Sequence, residues 1–155
     1  MKTTWLNDNE MRAWRVFVET TERLTVALEA DLVEHGLTMG DYEVLVRLSE
    51  SADHQLRMCD LAQVLQLSPS GLTRRLDGLV KSGAVVRVPS TTDRRVQLAE
   101  LSPIGLAKLV ETAPTHVASV RARLLDPLTP QQIDALYEIF AAVRGKLTST
   151  NGCQE

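Results

Sequence analysis

The chain has 155 residues, 44% of them hydrophobic but only 4% aromatic, so aliphatic packing must build a core of single-domain size. Cys59 and Cys153 are too few and too far apart for a disulfide framework, no apolar run approaches the roughly 18 residues of a membrane span, and MKTTWLNDNEMRAW has no secretory pattern, so a cytoplasmic protein is expected. The net charge of −3 would disfavour nucleic acid if spread evenly, yet residues 68–101 hold Arg74, Arg75, Lys81, Arg87, Arg94 and Arg95 against only Asp77, Asp93 and Glu100, which leaves the remainder acidic.

In chain order, Asn7 and Glu10 form a capping-box pattern. Met11, Trp14, Val18, Thr21, Thr25, Leu28 and Leu32 then recur at helical spacing up to Gly36. A first helix of about 25 residues would reach nearly 40 Å, too long for a small globule to cover, and predicts packing on another chain. Thr38 caps a second helix with Tyr42, Leu45, Val46 and Leu48 inward, and SADHQ reads as a polar loop. A third helix starts near Met58 and carries Leu61, Ala62, Val64 and Leu65. Ser68-Pro69 starts a fourth, with Leu72, Leu76, Leu79 and Val80 on one side and Ser70, Arg74, Asp77, Gly78 and Lys81 opposite; Thr73 and Arg75 flank the stripe. Val85, Val86 and Val88 form a strand and 96–98 its return, joined by PSTTDRR. Ser102-Pro103 begins a fifth helix, which Pro114 should kink or divide near Ala113. Thr129-Pro130 begins a sixth, with a seam of Ile133, Leu136, Tyr137, Phe140, Val143 and Leu147; the tail 148–155 is expected to be flexible.

Helices three and four, joined through Leu67, make a helix-turn-helix, and the hairpin makes it winged. The fold class is therefore mainly α with a small β component. Residues 37–101 form a winged helix-turn-helix, and residues 1–36 and 102–147 a helical dimerisation region. A helix with cations on its solvent face can enter a major groove, while a hairpin tip bearing Asp93-Arg94-Arg95 can reach the adjacent minor groove or its phosphates. A dimer would present two such helices to a palindromic site. The competing class is a protein-binding adaptor on the same fold, which would not need cations on two elements facing one way. An enzyme is not expected, because no nucleophile-base pair, phosphate loop or metal cluster is present in the pattern. His54 and Cys59 lack a second ligand nearby, and neither metal nor cofactor is expected.

The stretches LTMGDYEVLVRL (37–48), RMCDLA (57–62), LSPSGLTRRLDGL (67–79), Gly83–Val88, Asp93–Arg95 and LSPIG (101–105), in this order, resemble the MarR family of winged-helix repressors. The resemblance implies a triangular homodimeric regulator, a repressor released by a small-molecule effector, with the helix at Ser68–Lys81 in the major groove and the wing at the minor groove. It also implies that Ser70, Thr73, Arg74 and Arg75 contact bases and phosphates. With Ser68 at the helix cap and Arg94 and Arg95 on the wing, these make the expected DNA-binding set, and Asp93 is the acid that steadies Arg95. Gly78 departs from the pattern, since relatives carry a cation there. Relatives bind small planar or phenolic anions between the dimer helices and the DNA-binding lobe, which would give Trp14 and Tyr42 an effector pocket. Redox-sensing relatives carry a cysteine in the first helix, and this chain has none there. Blander alternatives stand beside these readings: a solvated face for Arg74-Arg75, an intramolecular ion pair for Arg75, a charged soluble tip for Asp93-Arg95, and core packing for Trp14 and Tyr42.

Overall fold

The computed structural model describes residues 4–147, so Cys153 and the expected flexible tail lie outside the described residues. The capping box of Asn7 and Glu10 is formed on both sides and opens α1, Asp8–Val33, which runs for 26 residues. Thr38 and Asp41 make a second capping box for α2, Met39–Ser49. There follow α3 (Met58–Val64), α4 (Pro69–Lys81), α5 (Pro103–Val120) and α6 (Pro130–Leu147). Ser68 and Ser102 cap α4 and α5 by accepting the N–H groups of Gly71 and Gly105, each at 3.1 Å.

Three of these helices stop in the same way. Leu37 N–H reaches Leu32 O, Leu67 N–H reaches Ala62 O, and Ala84 N–H reaches Leu79 O, each with a left-handed residue just before the donor. That residue is Gly36 (φ 72°), Gln66 (φ 54°) and Gly83 (φ 77°) respectively. Gln66 therefore makes the turn of the helix-turn-helix in a conformation that suits glycine.

The polar segment SADHQ is not a simple loop. Ala52–His54 forms a tight turn in which Asp53 and His54 have positive φ, and Gln55–Arg57 is a strand, β1. With β2 (Val85–Pro89) and β3 (Gln97–Leu101) it makes a three-stranded antiparallel sheet of order β1-β3-β2, with Gln55 opposite Glu100 and Val85 opposite Leu101. Three residues carry too little pattern to announce a strand; the pairing with β3 creates it.

The core gathers Val44, Leu45 and Leu48 from α2, Leu61 from α3, Leu72, Leu76 and Leu79 from α4, Val85 and Ala99 from the sheet, and Leu32 and Leu109 from α1 and α5. Val44 is fully buried in addition to the expected residues, with Val46 half-buried and packed against the core, because α2 is covered on more than one side. Val80, expected on the buried stripe of α4, is exposed, since the stripe turns away after Leu79. The first turn of α5 packs on the end of α4: Ser102 Oγ donates to Gly83 O at 2.6 Å, and a side chain on Gly105 would overlap the Ala84 carbonyl. Pro114 does not divide α5, which continues to Val120 before a π-helical turn at Arg121–Leu125. In that turn Arg123 reaches Asp31 of α1 at 2.5 Å, and Ser119 also donates to the same carboxylate. By contrast, α6 buries no residue.

Candidate nucleic-acid interface

With Leu72, Leu76 and Leu79 turned into the core, the 100° step leaves Ser70, Thr73, Arg74, Asp77, Gly78 and Lys81 exposed along the outer face of α4. Ser68 Oγ and Ser70 Oγ lie 3.2 Å apart at the start of the helix, and Thr73 Oγ1 donates back to Pro69 O at 3.1 Å. The side chains of Arg74 and Lys81 have no intramolecular hydrogen bond or ion pair among the described residues.

Two other cations of the basic segment are engaged internally. Arg75 points to α2, where Nη1 donates to Thr38 Oγ1 at 3.2 Å. The partner is a hydroxyl of a helix cap and not a carboxylate, so the contact is no ion pair. Arg87 on β2 reaches across to α4, donating to Asp77 Oδ1 at 3.3 Å and to Thr73 O at 3.4 Å. That contact offsets the one acid on the outer face of α4 and braces the helix against the sheet. The sequence could not announce it, because the partners are ten residues apart on different elements and share no periodicity.

The wing tip is held by its own backbone. Ser90 N–H reaches Val96 O at 2.8 Å, and Val96 N–H reaches Asp93 O at 2.9 Å. The Asp93 carboxylate accepts the backbone N–H of Arg95 at 2.9 Å and makes no ion pair with its guanidinium among the described residues. Asp93 thus shapes the turn that carries Arg95. Arg94 and Arg95 are both exposed, and neither guanidinium is used internally among the described residues. Of the six cations of the segment, Arg74, Lys81, Arg94 and Arg95 therefore remain without internal partners on α4 and the wing among the described residues, which leaves an exposed cationic surface.

The expected effector residues are not brought together. Tyr42 is 8% exposed and its ring lies 4.5 Å from that of His116, with burial pushing its hydroxyl pKa upward. Trp14 is 55% exposed and lies 5.9 Å from Phe17, whose ring is in turn 5.9 Å from Phe140 of α6. Tyr42 shares the core with Leu32, and Trp14 lies 18 positions earlier on the same helix, about 27 Å away at 1.5 Å per residue. A single protomer therefore holds no Trp14–Tyr42 pocket. His116 instead sits where α5 meets α2, its pKa lowered by burial, an effect that nearby Asp31 partly opposes. Among the described residues no group of three or more His, Cys, Asp or Glu side chains could hold a metal ion, and no helix is long and apolar enough to cross a membrane.

Residues 37–96, which contain the helix-turn-helix and most of the wing, match the MarR family. The regulator AbsC of Streptomyces coelicolor, described as a MarR family transcriptional regulator, is 40% identical and superposes with a TM-score of 0.90 over 94% of this chain and 98% of its own. Sco3205 of the same organism, a MarR family regulator solved in complex with DNA, is 34% identical with a TM-score of 0.92 over 99% of this chain and 97% of its own. The transcriptional repressor YetL of Bacillus subtilis is 29% identical over 104 residues, 67% of this chain and 62% of its own length. The chain thus spans somewhat less than two thirds of that repressor.

Proposed function

Because the chain belongs to the MarR family of transcriptional regulators, we propose that it is a homodimeric, sequence-specific DNA-binding repressor of the cytoplasm, without catalytic activity. α4 enters the major groove with Ser68, Ser70, Thr73 and Arg74. The wing carries Arg94 and Arg95 to the minor groove, with Asp93 shaping the tip. The observation that carries this reading is the set of four cations left without internal partners on two adjacent elements, beside Arg75 and Arg87, which the fold uses itself. The DNA complex of the relative Sco3205 supports it.

Residues 1–36 and 102–147 form the dimerisation region. α6 supports this part, since an 18-residue helix that buries nothing gains little from intrinsic propensity and needs a covering surface for Phe140, Val143 and Leu147. The two recognition helices then sit about 34 Å apart, reading an inverted repeat with half-sites centred roughly 10 bp apart. Release by a small planar or phenolic anion follows from the family resemblance. With Trp14 and Tyr42 separated within one protomer, such an effector would need a site completed by the second subunit.

Selection from genomic DNA fragments at two salt concentrations, followed by footprinting, tests the reading. Enrichment of a palindromic site is expected; uniform weak retention of all fragments at low salt alone would refute sequence-specific binding.

A further inference from the structure

Arg75 and the start of α2 form a contact that the DNA-binding face does not use. Thr38 Oγ1 accepts from Arg75 Nη1 at 3.2 Å and from Asp41 N–H at 3.1 Å while donating to Asp41 Oδ2 at 2.6 Å, which exhausts the capacity of a hydroxyl. The same helix end is tied to α1, because Met39 N–H donates to the Glu29 carboxylate at 2.7 Å. A guanidinium at a helix N-terminus opposes the helix dipole, and the carboxylates of Glu29 and Asp41 at this helix end offset it.

Gly40 supplies the room. It lies within α2, where alanine is the better helix former, and its φ is not in the left-handed region that calls for glycine. A methyl group there would fall 2.7 Å from Arg75 Nε and closer still to Cζ and Nη1. The missing side chain is therefore explained by the arginine that occupies its place.

We propose that Arg75 is a positioning residue of the recognition helix and not a DNA contact: it seats α4 on α2 through the space left by Gly40 and connects α4, by way of the Thr38–Asp41 cap and Glu29, to α1. The proposal rests on the reading of α4 as the DNA-binding helix. Arg75 then sets the angle at which Arg74 and Thr73 meet the groove, and any rearrangement of α1 reaches α4 through this contact.

The test compares wild type, Arg75→Ala, Gly40→Ala and the double variant. In thermal unfolding without DNA, Gly40→Ala should change Tm less favourably in the wild-type background than in the Arg75→Ala background, by about 2 to 4 °C for a chain of this size. In the Arg75→Ala background it should raise Tm, because the methyl group now has space. A Gly40→Ala effect of the same sign and size in both backgrounds overturns the proposed contact. In operator titrations each single variant should bind roughly 3- to 30-fold more weakly, the range of residues that act through a network. The slope of log affinity against log salt should stay at the wild-type value, and the double variant should bind no more weakly than Arg75→Ala. A slope shallower by about one unit in Arg75→Ala would identify a phosphate contact and overturn the positioning role. If the wild type fails to select an operator, the proposed function falls, while the unfolding comparison still decides whether Gly40 and Arg75 are coupled.

Discussion

Replacing Asp93 by asparagine and by alanine separates two ways in which an acid can serve a wing arginine. The carboxylate accepts the Arg95 backbone N–H at 2.9 Å in an exposed turn. Removing one such bond costs about 0.5 to 1.5 kcal/mol. If the tip must recover its shape on DNA, Asp93→Ala should bind about 2- to 12-fold more weakly, at 1.4 kcal/mol per tenfold change. Its Tm should barely move, because the tip lies outside the core. Asparagine keeps the oxygen acceptor and the same turn geometry while losing a negative charge that faces phosphates. Asp93→Asn should therefore bind as tightly as wild type, or more tightly at low salt. Fluorescence anisotropy with a labelled operator at two salt concentrations reads both variants. If Asp93→Asn is as damaging as Asp93→Ala, the charge is what matters, and the backbone hydrogen bond is not the residue's contribution.

Arg74→Ala should lose about 1 to 3 kcal/mol of operator binding with unchanged Tm, since the side chain lies opposite Leu72, Leu76 and Leu79; normal affinity would show that this face does not meet the groove. Gln66→Gly should raise stability by up to about 1 kcal/mol, because Gln66 occupies a left-handed position at φ 54°, and a lower melting temperature would mean that its side chain contributes more than the strain costs. Phe140→Glu places a charge on the aromatic cluster with Phe17 and should shift sedimentation toward the monomer; an unaltered dimer would move the interface elsewhere. Burial holds His116 below its ordinary value of 6.5, so the unfolded chain takes up its proton first and stability is lost as pH falls from 6.5 through the folded value. His116→Phe keeps a ring against Tyr42 but cannot titrate, so its melting temperature should fall less than that of wild type between about pH 7.5 and about pH 5.5; equal losses would assign the effect to other groups.

Local chemistry was legible along the chain wherever it is carried by neighbours in sequence. The capping hydroxyls of Thr38, Ser68 and Ser102, the Asn7–Glu10 box, the glycine stops at Gly36 and Gly83, and the apolar stripe of α4 act within one or two turns, so spacing alone announces them. The exposed position of Arg74 followed from the same spacing. Contacts between elements were decided only when the chain folded. β1 exists because β3 pairs with it, Val44 is buried because α2 is enclosed, and Val80 is exposed because its stripe runs out. Pro114 leaves α5 undivided, although its missing hydrogen bond suggested a kink or a break there. The same holds for the cations: six stand in one basic segment, and although the flank position of Arg75 already suggested an internal partner, three-dimensional reach decides that Thr38 takes Arg75 and Asp77 takes Arg87 while four are left facing solvent. A long flexible side chain has no periodicity of its own, so sequence sets which charges are present and packing sets which of them remain available to a partner.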